Sequence, residues 1–84
     1  MAVVVRFPAM LHALAGTEIV IDDPVADLAA LFAALHRRIP GLSAELDDPI
    51  YNFAVNGELL LHGVAAHPLK DGDEVEIVPT ISGG

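Results

Sequence analysis

No cysteine occurs among the 84 residues, and basic residues are few, since four Lys and Arg stand against twelve Asp and Glu. Without a thiol, the chain has no disulfide framework, no thiolate nucleophile, no Cys-based zinc or iron–sulfur site and no persulfide on a side chain. The formal net charge of −8 at pH 7 repels phosphate groups, so we expect no nucleic acid and no membrane as direct partners. A protein partner with a basic face is favoured instead.

Long hydrophobic runs are also missing. No apolar stretch approaches the roughly 20 residues of a membrane-spanning helix, and residues 2–6 lack the basic start and cleavage site of a signal peptide. We therefore expect a cytoplasmic protein. The length leaves room for one small domain, and because 54% of the residues are hydrophobic, the chain has enough apolar surface for a core.

Alternating and β-branched segments predict two strands before the helix and two or three after it, for a total of four or five. Pro8 and Pro79 end the first and the last of them, and Asn56-Gly57 is a strong signal for a two-residue type I′ hairpin turn. The first two strands are expected to form a hairpin as well. The predicted strands comprise residues 2–7, 17–21, 51–55, 58–60 and 74–78.

One helix is indicated between the second and third strands. Asp23 is the expected N-cap, with Pro24 at the first helical position, and Pro40-Gly41 ends the helix. Its apolar stripe consists of Val25, Leu28, Phe32, Leu35 and Ile39. This spacing predicts a helix of about fifteen residues, followed by a loop over residues 41–49 with one short turn. A sheet and a helix that cover each other make an α+β domain.

The side chains give little support for an autonomous enzyme. The four histidines, His12, His36, His62 and His67, have no metal-ligand spacing, so we expect no metal site. The acidic residues at positions 71, 73, 74 and 76 fit turn chemistry and a solvated strand face better than a cation site. The sequence contains no serine elbow and no glycine-rich phosphate loop. The chain is therefore expected to be non-catalytic on its own.

Residues 80–84 follow the last predicted strand as a tail. We therefore divide the chain into a domain of residues 1–79 and a flexible tail of residues 80–84. Gly83 and Gly84 have no side chains, so the tail can enter a channel that is too narrow for other residues. Its useful group is the α-carboxylate, which is ionised at pH 7 and unreactive until a partner activates it. An idle, frayed end is the alternative.

Residues 69–84 resemble the C-terminal region of the ubiquitin-like sulfur carriers, above all the small subunits of molybdopterin synthase. The shared features are a Leu-x-Asp-Gly-Asp turn at residues 69–73, a last strand, Pro79 and the Gly-Gly end. Further matches lie at Phe7, Leu14-Ala15-Gly16-Thr17-Glu18, Pro40-Gly41-Leu42 and Ala54-Val55-Asn56-Gly57-Glu58. The resemblance thus extends over essentially the whole chain.

The resemblance implies a β-grasp fold, in which one main helix packs across a mixed four- to five-stranded sheet. It also implies that an E1-like enzyme uses ATP and magnesium to adenylate the carboxylate of Gly84. A persulfide then displaces AMP, and the product is a thiocarboxylate. The carrier itself binds no cofactor stably.

The same resemblance assigns the tail residues their roles. Gly83 keeps the tail slim, and Thr80, Ile81 and Ser82 thread it into the active site of a partner. That partner is the large subunit of molybdopterin synthase or another sulfur-accepting enzyme. Val78 and Ile81 flank the junction between strand and tail, and both are candidate partner contacts. For Val78, a place in the core is an equally good alternative.

Other acceptors stay open at this point. Pro79-Thr80 stands where molybdopterin-type carriers usually have two prolines, and residues 7–11 are similar to carriers that serve cysteine biosynthesis. Carriers for tRNA thiolation are a further alternative, whereas thiamine-type carriers lack an equivalent of the loop after the helix. The competing class is a ubiquitin-like modifier, whose activated Gly84 forms isopeptide bonds with lysines of other proteins.

Overall fold

Five strands form one mixed sheet in the computed structural model of the chain, which describes residues 2–47 and 50–80. The strands are β1 (Val3–Arg6), β2 (Glu18–Ile21), β3 (Tyr51–Val55), β4 (Glu58–Leu60) and β5 (Glu74–Pro79). Their order in the sheet is β2-β1-β5-β3-β4, so the last strand of the chain lies in the centre. β1 runs antiparallel to β2 and parallel to β5, and β3 runs antiparallel to both β4 and β5.

Three helices accompany the sheet in the described residues. A 3₁₀ turn, Ala9–Leu11, leads into α1 (His12–Ala15) between β1 and β2. The main helix is α2 (Leu28–Arg38), and α3 (Leu42–Leu46) occupies the loop in which one short turn was expected. Within residues 2–47 and 50–80, none of the helices has both the length and the apolar character needed to span a membrane.

The core lies between α2 and one face of the sheet. Its helix residues Leu28, Leu31 and Leu35 and its strand residues Val3, Val5, Ile21, Val75 and Ile77 are all at most 1% exposed. Phe32 of the predicted stripe is only half-buried, and its ring centroid lies 4.9 Å from that of Phe53 in β3. Because Leu31 takes a core position as well, the apolar face of the helix is wider than the predicted stripe.

The architecture confirms the predicted β-grasp fold. β3 and β4 have the predicted bounds, and β1 and β2 form the expected antiparallel hairpin. Asn56 and Gly57 adopt φ angles of 51° and 83°, which is the left-handed pair that a type I′ turn requires. Local sequence signals therefore fixed most of the sheet.

The start of α2 differs from the prediction. The helix begins at Leu28, and its N-cap is Asp27, whose Oδ1 accepts a hydrogen bond from the Ala30 amide at 2.9 Å. The backbone just before it is extended because it pairs with a distant segment. Leu28 N donates to the His67 carbonyl at 3.1 Å, and the Leu69 amide donates to the carbonyl of residue 26 at 2.9 Å. These long-range bonds prevent the helix from extending back to Pro24.

Asp23, the predicted N-cap, has another role. Its carboxylate accepts hydrogen bonds from Arg38 at 2.7 Å and from Arg37 at 3.4 Å, both in the last turn of α2. The bond from Arg38 is the largest cause that holds the pKa of Asp23 below its ordinary value. Asp23 therefore interacts with the C-terminal end of the helix and does not cap its N-terminus.

Candidate functional site

The C-terminal end of β5 carries the two predicted site residues that the structure describes. Val78 pairs with Asn52 of β3 and is half-buried. Thr80, also half-buried, follows Pro79, and its amide donates a hydrogen bond to the carbonyl of Ile50. The remaining predicted site residues, Ile81, Ser82, Gly83 and Gly84, lie outside the described residues. Their roles, and the division into a domain and a tail, stay predictions.

An apolar patch adjoins this end of β5 on the sheet face opposite the core, which we call the outer face. Along β5 the buried residues Val75 and Ile77 alternate with residues of the outer face, of which Val78 is the last. In the register of the sheet, Ala54 of β3 lies opposite Leu59 of β4. We define the apolar patch as Ala54, Leu59 and Val78. Leu59 is 47% exposed and Ala54 only 8%, so the apolar surface of the patch comes from Leu59 and the half-buried Val78.

Towards the start of β5, the outer face is acidic. Glu74 and Glu76 are the exposed residues of β5 farther from the tail. Arg6 of β1 forms an ion pair with Glu74 at 2.7 Å, with both side chains about half exposed, so the pair contributes little to stability. The acidic surface next to the apolar patch favours a partner that combines an apolar contact with basic residues.

A hydrogen-bonded cluster holds the opposite end of β5, and we call it the turn clamp. Asp73 is only 5% exposed. Its Oδ1 accepts a bond from Asn56 Nδ2 at 3.0 Å, and its Oδ2 accepts one from the Lys70 amide at 2.9 Å. Asn56 in turn accepts a bond from the Glu74 amide through its Oδ1 at 2.9 Å. The turn clamp (Asn56, Lys70 and Asp73) therefore ties the β3–β4 hairpin to the start of β5.

The bonds within the turn clamp lower the pKa of Asp73 below its ordinary value. The hydrogen bond from the Asn56 side chain is the largest cause, and the Lys70 amide adds to it, while burial acts in the opposite direction. The carboxylate is therefore ionised at neutral pH although it is buried. The sequence prediction placed Asp73 in a tight turn, which is confirmed, but did not foresee its burial.

An open pocket of about 330 Å³ borders the turn clamp. Glu58, His67 and Lys70 contribute polar groups to its wall, and Val55 and Leu69 contribute apolar ones. It lies at the start of β5, whereas the tail leaves at the end of that strand, roughly 17 Å away at the rise of an extended strand. The pocket therefore lies at the end of β5 opposite to Thr80, the last residue that the structure describes.

The histidines and acidic residues have separate structural surroundings. In the part of the chain that the structure describes, no group of three or more His, Asp or Glu side chains is placed to hold a metal ion. His12 lies within 2.9 Å of the Phe7 carbonyl through its Nε2. Asp71 accepts a bond from the amide of Ala2 at 2.6 Å. These contacts stabilise the ends of the strands.

Leu59 belongs to the site but was not among the predicted site residues. A signal for it is visible in the sequence, since three leucines in succession, residues 59–61, interrupt the alternation of a half-buried strand. Neighbouring residues of a strand point to opposite faces, so they cannot all reach one core. Leu61, directly after β4, is 72% exposed, which extends the apolar surface beyond the strand.

In a comparison with known protein families, the model of the ThiS family matches residues 5–84, which is nearly the whole chain. A comparison with curated protein sequences gives no match.

Solved structures of similar fold include two complexes. A chain of the BexX/CysO complex of Amycolatopsis orientalis is 28% identical with a TM-score of 0.79, over 99% of this chain and 100% of that chain. A chain of the complex of subunits 1 and 2 of the molybdopterin-converting factor from Helicobacter pylori is 30% identical with a TM-score of 0.68, over 100% of both chains. The small archaeal modifier protein 1 of Methanosarcina acetivorans is 28% identical with a TM-score of 0.77, over 99% of this chain and 96% of that chain.

Proposed function

Since this chain belongs to the ThiS family of ubiquitin-like sulfur carriers, we propose that the carboxylate of Gly84 carries sulfur as a thiocarboxylate. The observation that carries the proposal is the arrangement around the end of β5. Val78 of the apolar patch is two residues before Thr80, whose amide donates a hydrogen bond to the carbonyl of Ile50, the residue before β3. A partner that takes up the tail therefore also covers the apolar patch, and both contacts are made by one surface of the carrier.

The chemistry begins with activation of an unreactive group. An E1-like enzyme, using ATP and magnesium, joins the Gly84 carboxylate to AMP and releases pyrophosphate. Sulfur from a persulfide then displaces AMP, and a thiol reduces the resulting acyl disulfide to the thiocarboxylate. The carrier contains no cysteine, so no thiol of its own exchanges with the bound sulfur.

We propose molybdopterin synthase as the acceptor, with this chain as its small subunit. Support comes from the 30% identity, over the full length of both chains, to a chain in the Helicobacter pylori complex of molybdopterin-converting factor subunits 1 and 2. In this arrangement the large subunit supplies the catalytic pocket, and the carrier supplies the sulfur. The carrier is then a subunit of an enzyme and is not catalytic alone.

The mass of the intact protein tests the carrier chemistry. The protein is incubated with ATP, magnesium, an active E1-like enzyme from the same organism and a sulfur donor. We expect replacement of one oxygen by sulfur, confined to the C-terminal peptide, and no replacement in a variant that lacks Gly84. The thiocarboxylated protein is then mixed with the large subunit and the sulfur-accepting substrate of that subunit. We expect the mass of the carrier to return to that of the carboxylate, because the sulfur passes to the substrate and water supplies the oxygen. An unchanged mass in the first step would contradict the proposal.

A ubiquitin-like modifier is the second candidate function. It is favoured by the 28% identity to the small archaeal modifier protein 1 of Methanosarcina acetivorans. This function predicts conjugates of higher mass in cell lysate that disappear when Gly84 is removed. Conjugates without thiocarboxylate would favour the modifier, and thiocarboxylate without conjugates would favour the carrier.

A further inference from the structure

The two edges of the sheet differ in how they are protected. β2 forms one edge and β4 the other, and both begin with a glutamate. Proteins protect open edges against pairing with other chains by means of charges and prolines. β2 is followed directly by Asp22-Asp23-Pro24, whereas residues 59–61, at the end of β4 and just after it, are all leucine. The β4 edge is therefore the less protected one.

The backbone of Leu59 faces the free side of β4. Val55 and Glu58 are paired across the two-residue turn, and the residues that flank such a turn exchange both of their hydrogen bonds. The next pair, Ala54 with Leu59, is a non-bonded one. The N–H and C=O of Leu59 therefore point away from β3. In the part of the chain that the structure describes, no strand lies on that side of β4.

The open pocket borders the same edge from the core side of the sheet. Val55 and Glu58, which are opposite each other in the hairpin, both line the pocket. Val55 lies on the same side of β3 as Phe53, whose ring contacts Phe32 of α2, whereas Leu59 belongs to the outer face. A strand added along β4 therefore directs successive side chains alternately into the pocket and onto Leu59.

The pocket combines an apolar wall with a carboxylate that is available for a partner. Val55 and Leu69 are buried and form the apolar wall. The charge of Lys70 acts on the buried carboxylate of Asp73, so these two charges offset each other. Within the described residues, the carboxylate of Glu58 has no hydrogen bond or ion pair. Such a pocket fits the side chain of lysine or arginine, which has an apolar stem and a cationic end.

We propose that the β4 edge binds a short extended segment of a protein partner, in which basic and apolar residues alternate. The backbone of the segment pairs with Leu59, one basic side chain enters the pocket beside Glu58, and the next side chain packs on the apolar patch. The net charge of −8 favours a basic segment over a second copy of this chain, because two copies repel each other. Binding at this edge involves no chemistry at the terminal carboxylate, so the inference goes beyond the proposed function.

The probe is a short peptide in which lysine and valine alternate, with both ends blocked. It is titrated into the isotope-labelled carrier, and binding is followed by NMR. We expect saturable shifts of the amide signals of Glu58 and Leu59, with a Kd below about 1 mM. The Leu59 amide is expected to exchange its hydrogen more slowly in the complex, because it donates to the added strand.

Two further peptides separate the contribution of the backbone from that of the charge. One has methylated amide nitrogens along its hydrogen-bonding side, and we expect it to bind about tenfold more weakly because about two hydrogen bonds are lost. In the other peptide, glutamate replaces lysine, and we expect no saturable binding because like charges meet.

A matched pair of carrier variants tests the pocket. Glu58→Gln keeps the size of the side chain and removes its charge, so we expect the lysine peptide to bind about fivefold more weakly, as for the loss of one partly exposed ion pair. Glu18→Gln makes the same change at the start of the β2 edge. It is expected to change the affinity by less than about twofold.

The outcomes bear on this inference separately from the proposed function, since the titration uses neither ATP nor an activating enzyme. Absence of binding, shifts confined to β2, or equal affinities for the methylated and unmethylated peptides would overturn the inference. Equal effects of Glu58→Gln and Glu18→Gln would do so too. Dimerisation of the free carrier in ultracentrifugation, with the Leu59 amide protected in the dimer, would assign the edge to a second copy instead. Failure to form a thiocarboxylate would contradict only the proposed function.

Discussion

The substitution Asp73→Asn examines the turn clamp with the smallest possible change in shape. Asp73 accepts one bond on each carboxylate oxygen, from Asn56 Nδ2 and from the Lys70 amide. The amide of the new side chain has one acceptor and one donor end, so one of the two incoming N–H groups faces another N–H. Rotation of the Asn56 amide cannot repair the mismatch, because its Oδ1 already accepts the bond from Glu74 N. No arrangement satisfies all three donors.

The expected cost follows from the loss of one hydrogen bond to a buried carboxylate. Such a bond contributes about 2 kcal/mol. A domain of this length has a total free energy of unfolding of roughly 4 to 13 kcal/mol, so the loss removes a substantial part of the stability. It corresponds to a decrease in Tm of about 10 °C.

The effect depends on pH because the pKa of Asp73 is lower in the folded than in the unfolded protein. The unfolded protein binds the proton more readily, so the stabilisation is fully present above the unfolded pKa of about 3.9. It is lost as the pH falls through the lowered pKa of the folded protein. The difference in the free energy of unfolding between wild type and Asp73→Asn is therefore expected to be constant from pH 5 to 7, within about 0.5 kcal/mol, and to decrease below pH 4.

Urea unfolding followed by circular dichroism at several pH values measures both quantities. Glu76→Gln is the matched control, since Glu76 is an exposed carboxylate on β5, the strand that follows Asp73. It is expected to change the free energy of unfolding by less than about 0.5 kcal/mol. A change in the free energy of unfolding for Asp73→Asn as small as that for the control would refute the reasoning. A loss of stability for Asp73→Asn that is the same at pH 3 as at pH 7 would refute it as well.

Two further predictions test the helix cap and the apolar patch. Asp27→Ala removes the acceptor of the Ala30 amide and is expected to destabilise the protein by about 1 kcal/mol in urea unfolding. Asp23→Ala breaks only exposed ion pairs and is expected to have a smaller effect on stability. A larger loss of stability for Asp23→Ala than for Asp27→Ala would contradict the assignment of Asp27 as the cap. Leu59→Asp is expected to weaken binding of the E1-like enzyme about tenfold in calorimetry. Val20 is about as exposed as Leu59 and lies on the opposite edge of the sheet, so Val20→Asp is expected to leave binding intact. Equal effects of Leu59→Asp and Val20→Asp on binding would contradict the location of the patch.

Most of the sheet could be predicted because its signals are local. β3 and β4 are joined by Asn56-Gly57. The left-handed conformation of these two residues makes a two-residue turn, and that turn sets the register of the hairpin. The alternation of β5 separates buried Val75 and Ile77 from the exposed glutamates without knowledge of the partner strands. Such patterns determine which face of a strand is buried wherever one face packs on a core.

The start of α2 and the turn clamp could not be predicted in the same way. Residues 24–27 have a good local signal for a helix start, but the backbone of residues 26–28 pairs with residues 67–69, which are far away in the sequence. Burial of Asp73 depends on the contact with Asn56, which exists only because β3 and β5 pair in a particular register. Tertiary contacts of this kind override local propensity.

The two ends of β5 explain why this strand suits a carrier of a reactive terminus. β5 is hydrogen-bonded on both sides, to β1 and to β3. Its start is tied to the hairpin through Asp73, and its end is tied to Ile50 through the Thr80 amide. Force applied at the C-terminal end of β5 acts along the strand and against the bonds of both ladders, so the strand resists displacement. The end of β5, after which residues 81–84 follow, is therefore held at a fixed place on the sheet relative to the apolar patch.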